Sequence, residues 1–377
     1  MEPFPTYDDL LATIRSSGHE YRTIGHAPNR QPLVAVTTGG TKTPPMCVLT
    51  GAHANEHAGV MATVKIIDAL ETDHRVWVVP CRDPVGLNGY QAATSLATLE
   101  SAELHTHEDV VGLLESVGDV LYTDNATGIV LGLIGDYGYA SKPPESDVFL
   151  LQWLKELAVT NPDVLAPVRG RRIYTTVPDP TVEGAIGLER AYTTVIRPDG
   201  QPLHLNRFFA DPWEPPESRA VRGLLDQIEP GLTVDNHETG AVDDRVYVVC
   251  RPADDTHQLN QSRRVGRAMA AAMAETGATL ATDGDLLSSP TTDVGFKAQE
   301  PTQQFYSRAG PGAYWMDYAA TTPARGGEGP NAGDYAARHH GVAIDVETGM
   351  HAPLESRAKA TIAAVQAGID HWERTLV

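Results

Sequence analysis

The sequence predicts an α/β protein built on a mostly parallel, mixed central sheet that is flanked by helices on both faces. Short apolar segments of strand length, such as residues 46–49 and 76–81, recur along the chain. Between them lie segments in which apolar residues return every three or four positions, as on the buried face of a helix. Strands that alternate with helices are typically joined in parallel, and the helices then cover both faces of the sheet.

The predicted elements follow one another in a regular order. Residues 6–16 form an amphipathic helix, and residues 21–24 and 33–37 form two strands joined by a turn. The strand at 46–49 precedes a helix whose apolar residues include Val60, Val64 and Ile67. Further strands are predicted at 232–237, 246–250 and 342–347, and further helices at 220–228, 260–275 and 354–376.

Residues 91–200 depart from this pattern. Two helical patterns, at 110–121 and 148–157, are separated there by connections rich in glycine, proline and serine. We interpret this stretch as a large insertion that decorates the sheet rather than extending it, so that residues 1–377 form a single domain.

The composition limits the possible partners and surroundings. A chain of 377 residues with 41% hydrophobic residues has enough apolar material for a large core. Its formal charge of -20 argues against nucleic acid or an anionic membrane as a partner. No apolar run approaches the length of a membrane span, and the amino terminus lacks a secretory signal pattern. Cys47, Cys81 and Cys250 lie in apolar runs and are predicted to be free thiols, which indicates a cytoplasmic location.

The turn after the strand at 46–49 carries the most informative motif. His53 and Glu56 are three residues apart where this strand passes into a helix. In α/β proteins such turns lie at the carboxyl ends of the strands, where reactive groups collect. An imidazole and a carboxylate aimed at one point suit zinc, although the same spacing also occurs by chance in many helices.

Two further predicted strands end in polar residues that complete this arrangement. His237 ends the strand at 232–237, and Glu347 ends the strand at 342–347. Two histidines and one carboxylate are the ligand set of catalytic zinc in several hydrolases, with the fourth position left to water. Zinc lowers the pKa of such a water to about 7. Glu347 is then suited to take the proton of that water and pass it to a leaving nitrogen.

Four segments, in this order and in these strand contexts, resemble the zinc carboxypeptidase family. They are Gly51-Ala52-His53-Ala54-Asn55-Glu56, Asn206-Arg207, His237 and Ile344-Asp345-Val346-Glu347. The clan is that of carboxypeptidase A and also includes succinylglutamate desuccinylase and aspartoacylase. The resemblance covers most of the chain apart from the insertion, which would then lie on the active-site side and wall the cleft.

The resemblance implies roles for individual residues. His53, Glu56 and His237 match the ligands of one zinc ion, and Glu347 matches the catalytic carboxylate. Asn206 and Arg207 match the pair that grips a substrate carboxylate, for which a guanidinium fork is well suited.

Two other roles are less closely specified. The family has an arginine before the Asn-Arg pair that steadies the oxyanion, and Arg190 is our first choice, with Arg197 and Arg82 as alternatives. The family also has a tyrosine on the substrate side, for which we predict Tyr306 rather than Tyr314.

The expected activity is hydrolysis of an amide bond next to a free carboxylate. The substrate would be a small peptide, as for a carboxypeptidase, or an N-acyl amino acid, as for the deacylases. Asn55 looks more like the deacylase branch, whereas the early strand pair looks more like the peptidases. A binding protein that kept this fold without the chemistry is the alternative of another class. The sequence predicts no oligomeric state.

Overall fold

The computed structural model describes residues 2–53, 55–87, 104, 106–146, 148–176, 192–239, 242, 244–287, 306–316 and 328–376. Within these residues the strands form two sheets, one of nine strands and one of six. Helices cover both, and the two sheets meet beside the carboxyl ends of the central strands.

The larger sheet is the central sheet that the sequence predicts. Its strands are β1 (Tyr21–His26), β2 (Pro32–Gly39), β3 (Lys42–Leu49), β4 (His74–Val79), β11 (Leu232–Thr239), β12 (Val246–Cys250), β13 (Tyr306–Gly310), β14 (Ala313–Met316) and β15 (Val342–Gly349). Their spatial order is β1-β2-β4-β3-β11-β15-β12-β14-β13. The four central strands β4, β3, β11 and β15 run parallel. Antiparallel pairs at both flanks make the sheet mixed, as predicted.

The smaller sheet is formed by strands within the predicted insertion and by one strand just after it. Its strands are β5 (Asp119–Thr123), β6 (Val130–Ile134), β7 (Tyr137–Ser141), β8 (Arg172–Thr176), β9 (Tyr192–Ile196) and β10 (Pro202–His204). They lie in the order β10-β9-β8-β7-β6-β5. The helix predicted to reach residue 121 ends at Val117, and the chain enters β5 at Asp119. The insertion therefore has a sheet and a core of its own.

The helices have the following bounds. They are α1 (Tyr7–Ser16), α2 (His57–Ala69), α3 (Pro84–Leu87), α4 (His107–Val117), α5 (Leu150–Thr160), α6 (Pro216–Ile228), α7 (Thr256–Glu275), α8 (Asp283–Leu286), α9 (Ala332–His339) and α10 (Leu354–Thr375). Short 3-10 helices occupy Pro162–Val168 and Leu205–Arg207. None of the helices that the structure describes combines the length and the apolar character needed to cross a bilayer.

Two apolar layers hold the nine-stranded sheet between its helices. On one face, α1, α2, α7 and α10 pack against side chains such as Val48, Val234 and Ile344. On the other face, α6 and α9 pack against side chains such as Leu49 and Ala343. Because both faces are covered, every residue of β11 is buried, including the polar ones near its carboxyl end.

Candidate metal centre

The candidate centre is built where β3, β11 and β15 end. After β3 the chain turns at Gly51, whose φ of +61° is a left-handed conformation that glycine adopts without strain. His53 follows this turn, and Glu56 immediately precedes α2. On the neighbouring strands, His237 of β11 is paired in parallel register with Glu347 of β15. Residues paired in this way project from the same face of the sheet.

The three predicted ligands converge on one point. Glu56 lies between the two histidines, with Oε1 at 2.6 Å from His53 Nδ1 and Oε2 at 3.0 Å from His237 Nδ1. One ligand atom from each of the three residues lies within 4.8 Å of the others. The structure thus brings together side chains that are up to 184 positions apart in the sequence.

The other ring nitrogens of the two histidines are also engaged, as in a metal site. His53 Nε2 lies 3.2 Å from His204 Nδ1, and His237 Nε2 lies 3.2 Å from Asp235 Oδ2. Histidines that ligate zinc commonly use their second ring nitrogen for such a contact, which fixes the ring orientation. Both Nδ1 atoms therefore remain directed at Glu56, and two imidazoles with one carboxylate match the preferences of zinc.

The three side chains differ in their protonation. Burial lowers the pKa of His53. For Glu56, burial acts to raise the pKa, but the nearby His53 and His237 outweigh it and lower the pKa to about 2. For His237, burial acts to lower the pKa, but the carboxylates of Asp235 and Glu56 outweigh it and raise the pKa well above its usual value. Near neutral pH the metal-free site therefore holds a neutral His53, an ionised Glu56 and a protonated His237.

We expect zinc binding to displace one proton, from His237. Below the raised pKa of His237, and where His53 is already neutral, the apparent association constant should rise about tenfold per pH unit, because a ligand must lose its proton to bind metal. Competition with a chelator of known protonation constants measures this slope, and the chelator alone is the control. A constant that does not change with pH in this range would contradict the assignment of His237.

A second group of acidic residues lies one row deeper in the sheet. Asp235 of β11 and Asp345 of β15 are paired in register, and both are fully buried. Arg82, at the end of β4, donates to Asp235 at 2.5 Å, and Arg251, after β12, donates to Asp345. Each of these two carboxylates is therefore paired with a guanidinium, which balances its charge in the row beneath His237 and Glu347.

The predicted substrate-anchoring pair lies beside the centre but is largely engaged with the protein. Asn206 Oδ1 accepts from Arg82 Nη1 at 3.2 Å and from the Ala332 amide at 3.4 Å. Its Nδ2 lies 3.4 Å from His237 Nε2. Arg207 lies close enough to His53 to lower the pKa of that imidazole. The Asn206 carbonyl oxygen is thus held by the protein, and the binding of a substrate carboxylate by Asn206 and Arg207 stays a prediction.

The candidates for the oxyanion arginine have different environments. Arg190 lies outside the described residues. Arg82 is buried against Asp235 and Asn206, which leaves it as a supporting residue. Arg197 pairs with Asp199 at 3.2 Å and with Asp211 at 2.7 Å.

The predicted substrate-side tyrosines are both in the interior. Tyr306 is buried in an apolar cluster on β13, the edge strand three positions from β15. At about 4.8 Å per strand, its backbone lies about 14 Å from that of β15. The Tyr314 hydroxyl donates to the Ala281 carbonyl at 3.0 Å. The role of Tyr306 on the substrate side therefore stays a prediction.

The residue after His237 supports the start of α2. Glu238 accepts from the Ala58 amide at 3.0 Å, in the first turn of the helix that follows Glu56. Arg357 of α10 donates to the same carboxylate and also to the Ala352 carbonyl at 2.9 Å. This buried pair ties α10 and α2 together behind the centre.

Two residues of the smaller sheet reach the centre without having been predicted. His204 ends β10 and contacts His53, and Tyr192 of β9 stacks on the His53 ring with centroids 5.1 Å apart. Phe149 lies against Tyr192, with centroids 6.5 Å apart. The position of His204 at a strand end, two residues before Asn206, was a signal available in the sequence. For Tyr192 and Phe149 the sequence offered none.

Comparisons with known proteins identify the fold. The sequence matches no protein-family model and no curated protein. Among solved structures, a putative metallopeptidase from Shewanella denitrificans superposes with a TM-score of 0.50 at 12% identity, over 97% of this chain and 90% of that one. A metallo-carboxypeptidase from Burkholderia cenocepacia has a TM-score of 0.48 at 11% identity, over 98% of this chain and 70% of that one. Bovine thrombin-activatable fibrinolysis inhibitor, in complex with tick carboxypeptidase inhibitor, has a TM-score of 0.48 at 9% identity, over 98% and 97%.

The likeness to the Shewanella denitrificans structure concerns the fold. The chain has the mixed α/β architecture of that putative metallopeptidase, so the predicted fold class is confirmed. Because the sequence identities are low, the activity has to be argued from the site itself.

Proposed function

We propose that this protein is a zinc-dependent hydrolase that cleaves an amide bond next to a free carboxylate. One observation carries the proposal: His53 and Glu56 converge with His237 beyond the end of β3, and His237 is in register with Glu347 on β15. A zinc ligand set beside a carboxylate on the same face of the sheet contains the groups that amide hydrolysis requires.

Each candidate residue has its own role in the proposed reaction. Zinc held by His53, Glu56 and His237 would supply an activated water and would polarise the scissile carbonyl. Glu347 takes a proton from the attacking water and donates it to the leaving nitrogen as the bond breaks. Arg207 attracts the substrate carboxylate and thereby sets which amide bond lies beside Glu347.

One wall of the site is aromatic. Tyr192 covers the His53 ring, and Phe149 lies behind Tyr192. These aromatic side chains line the site on the side of the smaller sheet. We propose a short peptide as the substrate, and an N-acyl amino acid as the second candidate.

The location and the other partners remain predictions. The three cysteines are buried free thiols, which supports a cytoplasmic location. The charge of -20 supports the expectation that neither nucleic acid nor an anionic membrane is bound.

Paired substrates test the proposal. The purified protein is assayed with dipeptides and N-acyl amino acids, each with a free and an amidated carboxyl terminus, before and after chelation and after return of zinc. We expect turnover of the free acids only, loss of turnover on chelation and recovery with zinc. Equal turnover of amidated substrates would remove the carboxylate anchor. Absence of bound zinc, with no activity after its addition, would favour a binding protein.

A further inference from the structure

The candidate anchor already has a carboxylate of the protein beside it. Glu328 is buried, and its Oε2 lies 3.3 Å from Arg207 Nε. Its other oxygen accepts from the ammonium group of Lys155, which belongs to α5 of the insertion. Glu328 therefore bridges two cations, one from the 3-10 helix at Leu205–Arg207 and one from the insertion.

Glu328 is held in this place by the segment that follows it. A Cβ added at Gly329 would lie 2.6 Å from the Arg207 carbonyl oxygen, so the two backbones are in close contact. The Phe209 amide donates to the Pro330 carbonyl at 3.4 Å, and the Ala332 amide donates to Asn206. Because the segment 328–332 is joined to 206–209 at several points, Glu328 is a fixed part of the anchor.

The hydrogen bonds of Arg207 limit how it can receive a substrate. Nε faces Glu328, and Nη1 donates to the Asn206 carbonyl at 3.1 Å. Within the described residues, Nη2 makes no hydrogen bond. A guanidinium has five N–H groups, so one on Nη1 and two on Nη2 remain for a substrate carboxylate.

We propose that Glu328 and Lys155 determine the charge selectivity of the anchor. Glu328 competes with the substrate for Arg207 and repels a second negative charge, whereas Lys155 offsets part of that repulsion. Arg207, Lys155 and Glu328 form a trio of two cations and one anion, with a net charge of one positive unit. This net charge suits a substrate with one carboxylate and a neutral side chain next to the scissile bond. The inference rests on the proposed role of Arg207 in the function above.

Binding of small probes tests this without any need for turnover. Dissociation constants for N-benzoylglycine, N-benzoylaspartate and N-benzoylglycinamide are measured by calorimetry with the zinc-loaded protein and again after chelation. The variants are Glu328→Gln, Lys155→Gln and the double variant. The double variant is the matched control, because it leaves the trio with the same single positive charge.

The expected results follow from the charges. Glu328→Gln should lower the dissociation constant of N-benzoylglycine about fivefold, because a repelling charge is removed. The dissociation constant of N-benzoylaspartate should fall by more than that. Lys155→Gln should raise the dissociation constant of N-benzoylglycine about threefold. In the double variant this constant should lie within about twofold of that of the original protein. Binding of N-benzoylglycinamide, which carries no carboxylate, should stay within about twofold throughout.

Three outcomes would overturn the inference. Equal weakening of the acid and the amide by Glu328→Gln would mean that Glu328 only supports the structure. Weakening of the acid alone would mean that Glu328 orients Arg207 rather than competing for it. No preference of the unaltered protein for the acid over the amide would mean that Arg207 is not an anchor. Absence of hydrolysis with this binding pattern intact would instead contradict only the proposed reaction.

Discussion

Replacing Glu347 with glutamine is expected to lower kcat about 10³-fold, the scale of general acid–base catalysis. Glutamine has nearly the same shape but cannot accept a proton from water or donate one to a leaving nitrogen. Because Glu347 is paired in register with His237 and is not one of the three predicted ligands, zinc content and substrate KM should change little. The measurement is steady-state kinetics together with metal analysis of the same samples.

The matched control is Glu355→Gln in the first turn of α10. Glu355 is exposed and pairs with Lys359 at 2.8 Å, so its replacement should leave kcat unaltered. A Glu347→Gln variant that turns over substrate at the original rate would refute the proposed proton transfer. Loss of zinc in this variant would instead place Glu347 among the ligands.

Replacing Arg357 with methionine is expected to lower the free energy of unfolding by about 3–5 kcal/mol, because it leaves Glu238 buried without its cation. Burial raises the pKa of Glu238, and Arg357 now counteracts that rise. Without Arg357 the folded protein should bind a proton on Glu238 more tightly than the unfolded chain does. The loss of stability should therefore be largest at high pH and shrink as the pH falls towards the raised pKa. Urea denaturation at several pH values measures this.

Two variants serve as controls for that experiment. Lys359→Met removes an exposed cation from the same helix and should change stability by less than about 1 kcal/mol. The double variant Arg357→Met with Glu238→Gln removes both buried charges and should be more stable than Arg357→Met alone. Equal destabilisation at all pH values would show that Arg357 acts through packing rather than through Glu238.

The sequence by itself determined the central sheet and the order of the candidate site along it. Periodicity is a local property, so strands ending at His237 and Glu347 could be recognised one at a time. The rule that parallel strands present their carboxyl ends at one edge then placed His53, Glu56, His237 and Glu347 together. The structure brings the first three within reach of one ion and sets Glu347 in register beside His237.

Only the tertiary structure decided how the charges around that centre are paired. Lys155 and Glu328 are separated by 173 residues, and nothing local in either segment indicates the other. The same holds for Arg82 with Asp235, which follow and lie in different strands of the larger sheet, and for His204 with His53, which come from different sheets. A buried charge must find a partner wherever the fold offers one, and that choice depends on the packing of whole elements. The predicted ligands could therefore be recognised from short local motifs. The contacts around the candidate substrate anchor form only when the smaller sheet packs against the larger one.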